Sequence, residues 1–158
     1  MKTDDIIPVQ TRICHFHLKA GDLNRSLAFY CGLPGFEVTT TYGADAAFIA
    51  AGGYQHHIEL NSWYSKGWAP APAHAPGLFH TAMRYPTRKD PAFIYKRLIQ
   101  EDYPLTGASD HGVSEALYLN DPDDNDVELY WDRPKELWSQ RKMAAWKCLP
   151  VHCTCMNC

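Results

Sequence analysis

The chain repeats itself, and the repeat limits the fold more than any other feature. His15-Phe16-His17-Leu18-Lys19 leads to Tyr30, and His80-Thr81-Ala82-Met83-Arg84 leads to Tyr95. Both segments open on a His, carry an apolar residue and a cation at the same steps, and reach a Tyr after the same interval. Farther along, Ile58-Glu59-Leu60 matches Val127-Glu128-Leu129 at a spacing four residues longer, so the second copy carries a short insertion. A half-size unit cannot bury its own apolar face, so two copies must share a core. Each copy also carries a His on its first strand and a Glu on its last, which lets residues distant in sequence meet at one centre.

Patterning predicts the same elements twice. Residues 12–20 read as a strand, and Asp22 caps a helix through Cys31 with Leu23, Leu27 and Tyr30 at helical spacing. Gly32, Pro34 and Gly35 end that helix. Strands 36–42, 46–51 and 55–61 follow, turning at Gly43 and at Gly52-Gly53. Module one therefore spans 12–63. Residues 64–77, with Pro70, Pro72 and Pro76 among alanines, are expected to be an extended linker. In module two (78–131), strand 78–85 precedes a helix that starts at Thr87 with Asp90 and runs to Gln100. A loop through Gly107 and Gly112, strand 115–120, a turn at Asp121-Pro122-Asp123-Asp124-Asn125 and strand 126–131 complete it. A terminal helix is expected from Pro134 to about Lys147. The fold class is α+β: one domain over 1–134, then a C-terminal helix and Cys-rich tail over 135–158.

Composition sets the outer limits. At 158 residues, 46% hydrophobic and 21% charged, the sequence is that of a globular domain with a real core. A net charge of −3 with no Lys/Arg run argues against a nucleic-acid surface. No stretch approaches the roughly 20 apolar residues of a membrane span. The N-terminus lacks the apolar run of a secretory signal, so a cytoplasmic protein is expected. Cys14 and Cys31 lie in the first copy, while Cys148, Cys153, Cys155 and Cys158 crowd the tail with His152. That distribution is no disulfide framework, and the tail spacing matches no zinc pattern. The tail reads as loosely ordered and redox-labile, with soft-metal binding as its alternative.

The chemistry lies in three ligand-type residues at repeat-related places. His15, His80 and Glu128 supply two imidazoles and a carboxylate, a facial set that leaves three positions open on a metal ion. Such a set suits Fe(II) and oxygen, with Mn(II) or another divalent metal second. His17 shares a face with His15 and is expected behind the ligands, and His56 is expected outside the site. Alternation puts His57 and Glu59 on one face.

On these motifs the chain resembles the vicinal-oxygen-chelate superfamily of glyoxalase I, bleomycin-resistance proteins and extradiol dioxygenases. The carrying segments are His15-Phe16-His17-Leu18 with Asp22 and Ser26–Tyr30, Gly53-Tyr54-Gln55-His56-His57-Ile58, Leu78-Phe79-His80, and Asn120-Asp121-Pro122 through Val127-Glu128-Leu129-Tyr130. The resemblance spans residues 12–134. It implies two βαβββ modules forming an open barrel around one divalent metal.

Within that superfamily the catechol 2,3-dioxygenase-like branch is nearest. It implies His57 as acid/base, Tyr118 on a substrate hydroxyl, and His111, in His111-Gly112-Val113, beside them. The implied function is ring cleavage of a catechol-like diol by Fe(II) and O2. A glyoxalase-type lyase or isomerase, with Glu59 as fourth ligand and base, is the alternative. A non-catalytic binding protein with a groove lined by Trp63, Tyr64 and Trp68 is the third reading. Modules of this kind pair within one chain or across a homodimer, and the linker permits both.

Overall fold

The computed structural model describes residues 7–138. Its elements come as the repeat requires. Module one contains β1 (Phe16–Lys19), α1 (Leu23–Gly32), β2 (Glu37–Tyr42), β3 (Ala46–Ala50) and β4 (Ile58–Asn61). Module two contains β5 (His80–Arg84), α2 (Lys89–Gln100), β6 (Gly107–Asp110), β7 (Ser114–Asn120) and β8 (Asp126–Asp132). The sheets share one topology, β1-β4-β3-β2 and β5-β8-β7-β6, with the first strand parallel to the last in each. These are two βαβββ units of an α+β fold, and the sheets do not close into a barrel.

Local chemistry explains the helix starts. The Asp22 carboxylate accepts from the Arg25 amide at 3.1 Å and so caps α1. Ahead of α2, the Thr87 amide and hydroxyl both donate to the Asp90 carboxylate at 2.8 Å. The helices cover one face of each sheet, and the core lies between. Phe29, Tyr30 and Leu33 of α1 and its end join Ile49, Ile58 and Leu60, while Ile94 and Leu98 of α2 join Leu119, Val127 and Leu129 in the same cluster. Leu119, Val127 and Leu129 are completely buried. Truncating any of them to Ala would cost about 2–5 kcal/mol.

Polar clasps fix one module on the other. The buried Tyr30 hydroxyl donates to Asp121 Oδ2 at 2.9 Å, and that carboxylate also accepts from the Asp123 and Asn125 amides. Burial first, and Asp121 second, push the Tyr30 hydroxyl far above the ordinary tyrosine range. Asp123 accepts from Arg25 at 2.6 Å and from the Gly21 amide at 3.1 Å. Gly21 has no room for a side chain, because a Cβ would stand 2.9 Å from both Asp123 Oδ1 and the Trp68 carbonyl oxygen. Arg97 of α2 reaches back to the Gly32 and Leu33 carbonyls.

Four expectations need correction. The segment taken as a loop through Gly107 contains β6, paired antiparallel with β7 from Gly107↔Tyr118 to Asp110↔Glu115. The linker is not simply extended: the Ser65 hydroxyl donates to the Ala20 carbonyl and the Gly67 amide to that of Gly21. The strand expected to begin at Gln55 begins at Ile58, because the Gly52-Gly53 turn continues into a bend. After Pro134 the described chain forms a single 3-10 turn, Lys135–Leu137. The rest of the expected helix and the Cys-rich tail lie outside the described residues. Among the described residues no helix is long and apolar enough to cross a membrane.

Candidate metal centre

The second sheet assembles a continuous polar chain. His80 is the first residue of β5, Glu128 sits in the middle of β8, and Tyr118 of β7 pairs directly with Glu128. Glu128 Oε2 lies 3.3 Å from His80 Nε2. The Tyr118 hydroxyl donates to Glu128 Oε1 at 3.0 Å, and His111 Nε2 lies 2.9 Å from the same hydroxyl. Since Tyr118 spends its proton on the carboxylate, its oxygen accepts from His111, which places the His111 proton on Nε2. Ser109 stands 3.5 Å from His111 Nδ1. Three strands and the β6–β7 turn thus hold His80, Glu128, Tyr118 and His111 in one row.

Two atoms beside that row are buried without a hydrogen-bond partner, His80 Nδ1 and Asp126 Oδ1. His80 and Asp126 are register partners on β5 and β8. Burial foremost raises the Asp126 carboxyl above its ordinary range, with His80 acting in the opposite direction. Such orphaned atoms are rare in folded proteins and call for an explanation.

The first sheet carries a second His–carboxylate pair. His17 and Glu59 are register partners on β1 and β4, and His17 Nδ1 lies 3.3 Å from Glu59 Oε2. The Asn61 amide nitrogen donates to His17 Nε2, and the Trp63 ring lies edge-on to the His17 ring at 5.8 Å. Glu59 therefore pairs with His17 rather than with His57, although alternation had put His57 and Glu59 on one face. His57 precedes β4, its Nδ1 accepts from the Ala51 amide at 3.3 Å, and its ring packs on Tyr54 and Phe36. His56 packs its ring on His15 at 4.5 Å and on Phe48 at 5.2 Å. His15 itself is exposed, one residue before β1.

The chain by itself gathers two of the three expected ligands, His80 and Glu128. Among the described residues no three His, Cys, Asp or Glu side chains converge closely enough to hold one ion. The His80–Glu128 pair nevertheless fits a metal. Its donor atoms are spaced as two ligands of one ion must be, each about 2.0–2.2 Å from the centre. The internal repeat pointed to His80 and Glu128, and the family resemblance to Tyr118 and His111. Asp126 and Asn61 were missed, although each sits two residues from a Glu already singled out. Of the three groove candidates, Tyr64 and Trp68 are largely exposed and Trp63 half so.

Residues 12–129 match the family described as Glyoxalase/Bleomycin resistance protein/Dioxygenase superfamily, and the chain belongs to that superfamily. It is 38% identical over 130 residues to a catechol-2,3-dioxygenase of Bacillus subtilis, covering 82% of this chain and 45% of that protein. It is 30% identical over 124 residues to biphenyl-2,3-diol 1,2-dioxygenase 3 of Rhodococcus globerulus, covering 78% of this chain and 65% of that one. The chain thus spans only about half to two thirds of these relatives. A glyoxalase/dioxygenase from Nostoc punctiforme superposes with a TM-score of 0.69 at 13% identity, over 84% of this chain and all of the other (100%). A lactoylglutathione lyase from Agrobacterium tumefaciens superposes with a TM-score of 0.62 at 21% identity, over 84% of this chain and 99% of the other. At those identities the likeness is one of fold.

Proposed function

We propose that this protein is an extradiol-type dioxygenase that opens a catechol-like aromatic diol with Fe(II) and O2, as a step in aromatic-compound breakdown. The observation that carries the reading is the His111–Tyr118–Glu128–His80 chain. It joins a metal-type His and Glu to a Tyr and a His that can hold a substrate hydroxyl. The dioxygenase names of both curated relatives support it.

His15, His80 and Glu128 would hold the metal, with Mn(II) or another divalent ion as second choice to Fe(II). When bound, that ion would lower the pKa of the substrate hydroxyls and keep diol and dioxygen adjacent. Tyr118 orients one hydroxyl, and His111 fixes the direction of the Tyr118 proton. His57, accepting from Ala51 at Nδ1, carries its proton on Nε2, where it would serve as acid and then base.

We further infer that His15 reaches the other two ligands from a second copy of the chain. The clasps Tyr30–Asp121 and Arg25–Asp123 hold the two modules of one chain in a single arrangement, in which the three residues do not converge. Both ligand segments enter their strands beside exposed apolar side chains, Ile13 before His15 and Leu78-Phe79 before His80. A homodimer would cover these and complete two equivalent centres.

The test is metal analysis of anaerobically purified protein, followed by oxygen uptake with a panel of catechols. Stoichiometric iron with catechol-dependent uptake supports the reading, and neither appearing would sink it. Glu59 separates the runner-up, a glyoxalase-type lyase or isomerase. Glu59 pairs with His17, so Glu59→Gly should leave oxygen uptake intact or raised. A folded but inactive Glu59→Gly variant would favour the lyase reading, with Glu59 as fourth ligand and base.

A further inference from the structure

We propose that the diol taken by this site carries a carboxylate substituent, and that Arg84 is the residue that recognises it. The inference rests on the dioxygenase reading and narrows its substrate to an acidic catechol. It starts from a part of the repeat that the metal centre leaves unused. Each first strand has a cation four residues after its ligand-type His, Lys19 after His15 and Arg84 after His80. Side chains alternate between the faces of a strand, so residues four apart share one face. In β5 that face runs His80, Ala82, Arg84, and their register partners on β8 are Asp126, Glu128 and Tyr130. Arg84 therefore stands on the face that carries the Tyr118–Glu128 hydrogen bond. Along the strand it is about 13 Å from His80.

Chemistry selects the substituent. Arg84 donates from Nη1 to Asp132 Oδ2 at 3.4 Å, a contact that keeps the guanidinium on this face. A guanidinium carries five donors in a rigid fork that fits a carboxylate at two points, so one long contact does not exhaust it. Between His80 and Arg84 the same face of β5 carries only Ala82, which is exposed and projects no more than a methyl. An aromatic ring held by its hydroxyls at His80 and Glu128 would lie over Ala82, with its far edge toward Arg84. A carboxylate on that edge meets a cation, a methyl meets no such contact, and an ammonium is repelled. The Arg84 side chain is 67% exposed, so solvent weakens the pairing and the preference is modest.

The probes are 3,4-dihydroxybenzoate, 4-methylcatechol and 3,4-dihydroxybenzylamine, each titrated by calorimetry into the zinc(II)-loaded full chain, so that binding is read without turnover. The wild type should bind the benzoate about three- to tenfold more tightly than the methyl compound, and the amine most weakly. Arg84→Met keeps an apolar stem and should lose most of that preference. Arg84→Glu should turn the preference toward the amine. In the iron-loaded protein the same preference should appear in KM rather than kcat, because the substituent is remote from the reacting atoms. Equal wild-type affinity for the three diols, tighter binding of the amine, or a preference that survives Arg84→Met overturns the role of Arg84 and leaves the dioxygenase reading standing. Binding of none of the three overturns that reading as well. Should Arg84→Glu fail to fold, the comparison of the wild type with Arg84→Met decides alone.

Discussion

Tyr118 carries the most chemistry of any single residue, because its hydroxyl links His111 to Glu128 at 2.9 and 3.0 Å. Tyr118→Phe removes the donor to the carboxylate and the acceptor for the imidazole while leaving the ring in place. A hydrogen bond to a charged group contributes about 1.5–3 kcal/mol, so kcat/KM for a catechol should fall about ten- to a hundredfold. Metal occupancy should change little, since Glu128 remains. Steady-state oxygen uptake and metal analysis on one preparation check both halves. Tyr118 was legible through the family resemblance, and the register of β7 on β8 sets it directly opposite Glu128. The surroundings of His56 and His57 were not legible for the opposite reason: they precede β4, and the bend after Gly52-Gly53 breaks the alternation.

Among the elements, the β7–β8 turn does more than reverse the chain. Its Asp121 and Asp123 accept from α1, so the turn of one module holds the helix of the other. Tyr30→Phe leaves Asp121 Oδ2 short of a buried donor and should destabilise the fold by about 1–3 kcal/mol. Denaturant unfolding measures this, and an unchanged midpoint would show that the clasp contributes nothing. Aspartates in a turn are usually read as solvated, which is why a strong turn was legible in the sequence and its docking on α1 was not.

A second cluster joins the β6–β7 hairpin to the end of β8. Arg133 lies 2.9 Å from Asp110 and 2.6 Å from Glu115. The Gly112 amide first, and Arg133 also, hold the Asp110 carboxyl below its ordinary range. Burial works against Glu115, but hydrogen bonds from Arg88 and Arg133 outweigh it and hold that carboxyl low too. A carboxyl depressed on folding stabilises above its unfolded pKa, and the contribution is lost as pH falls through the folded one. The gain is small because the cluster is partly open to solvent, with Asp110 and Arg88 exposed. Arg133→Leu should therefore lower the melting temperature at pH 7 and narrow its gap to the wild type as the pH drops below the usual carboxylate range. A gap that widens on acidification contradicts the assignment. β6 escaped notice because Gly107-Ala108-Ser109-Asp110 has neither β-branched nor aromatic residues, and only pairing with β7 makes it a strand.

At the scale of the whole molecule, the repeat in the sequence foretold two modules of one topology and a common core. It did not foretell how the modules face. That depends on side chains that never resemble each other between the copies: Tyr30 is buried on Asp121, while its repeat-mate Tyr95 stays partly exposed. The outcome is a chain in which the proposed ligands of module one and module two stand apart, and the proposed centre requires them to meet. The most direct measurement is the iron content of anaerobically prepared proteins: His15→Ala, His80→Ala, and the purified heterodimer of the two. Neither variant alone should bind iron, and the heterodimer should bind one iron per dimer, at the centre where the intact His15 of one chain meets the intact His80 of the other. Iron in either single variant at wild-type affinity, or none in the heterodimer, would contradict it.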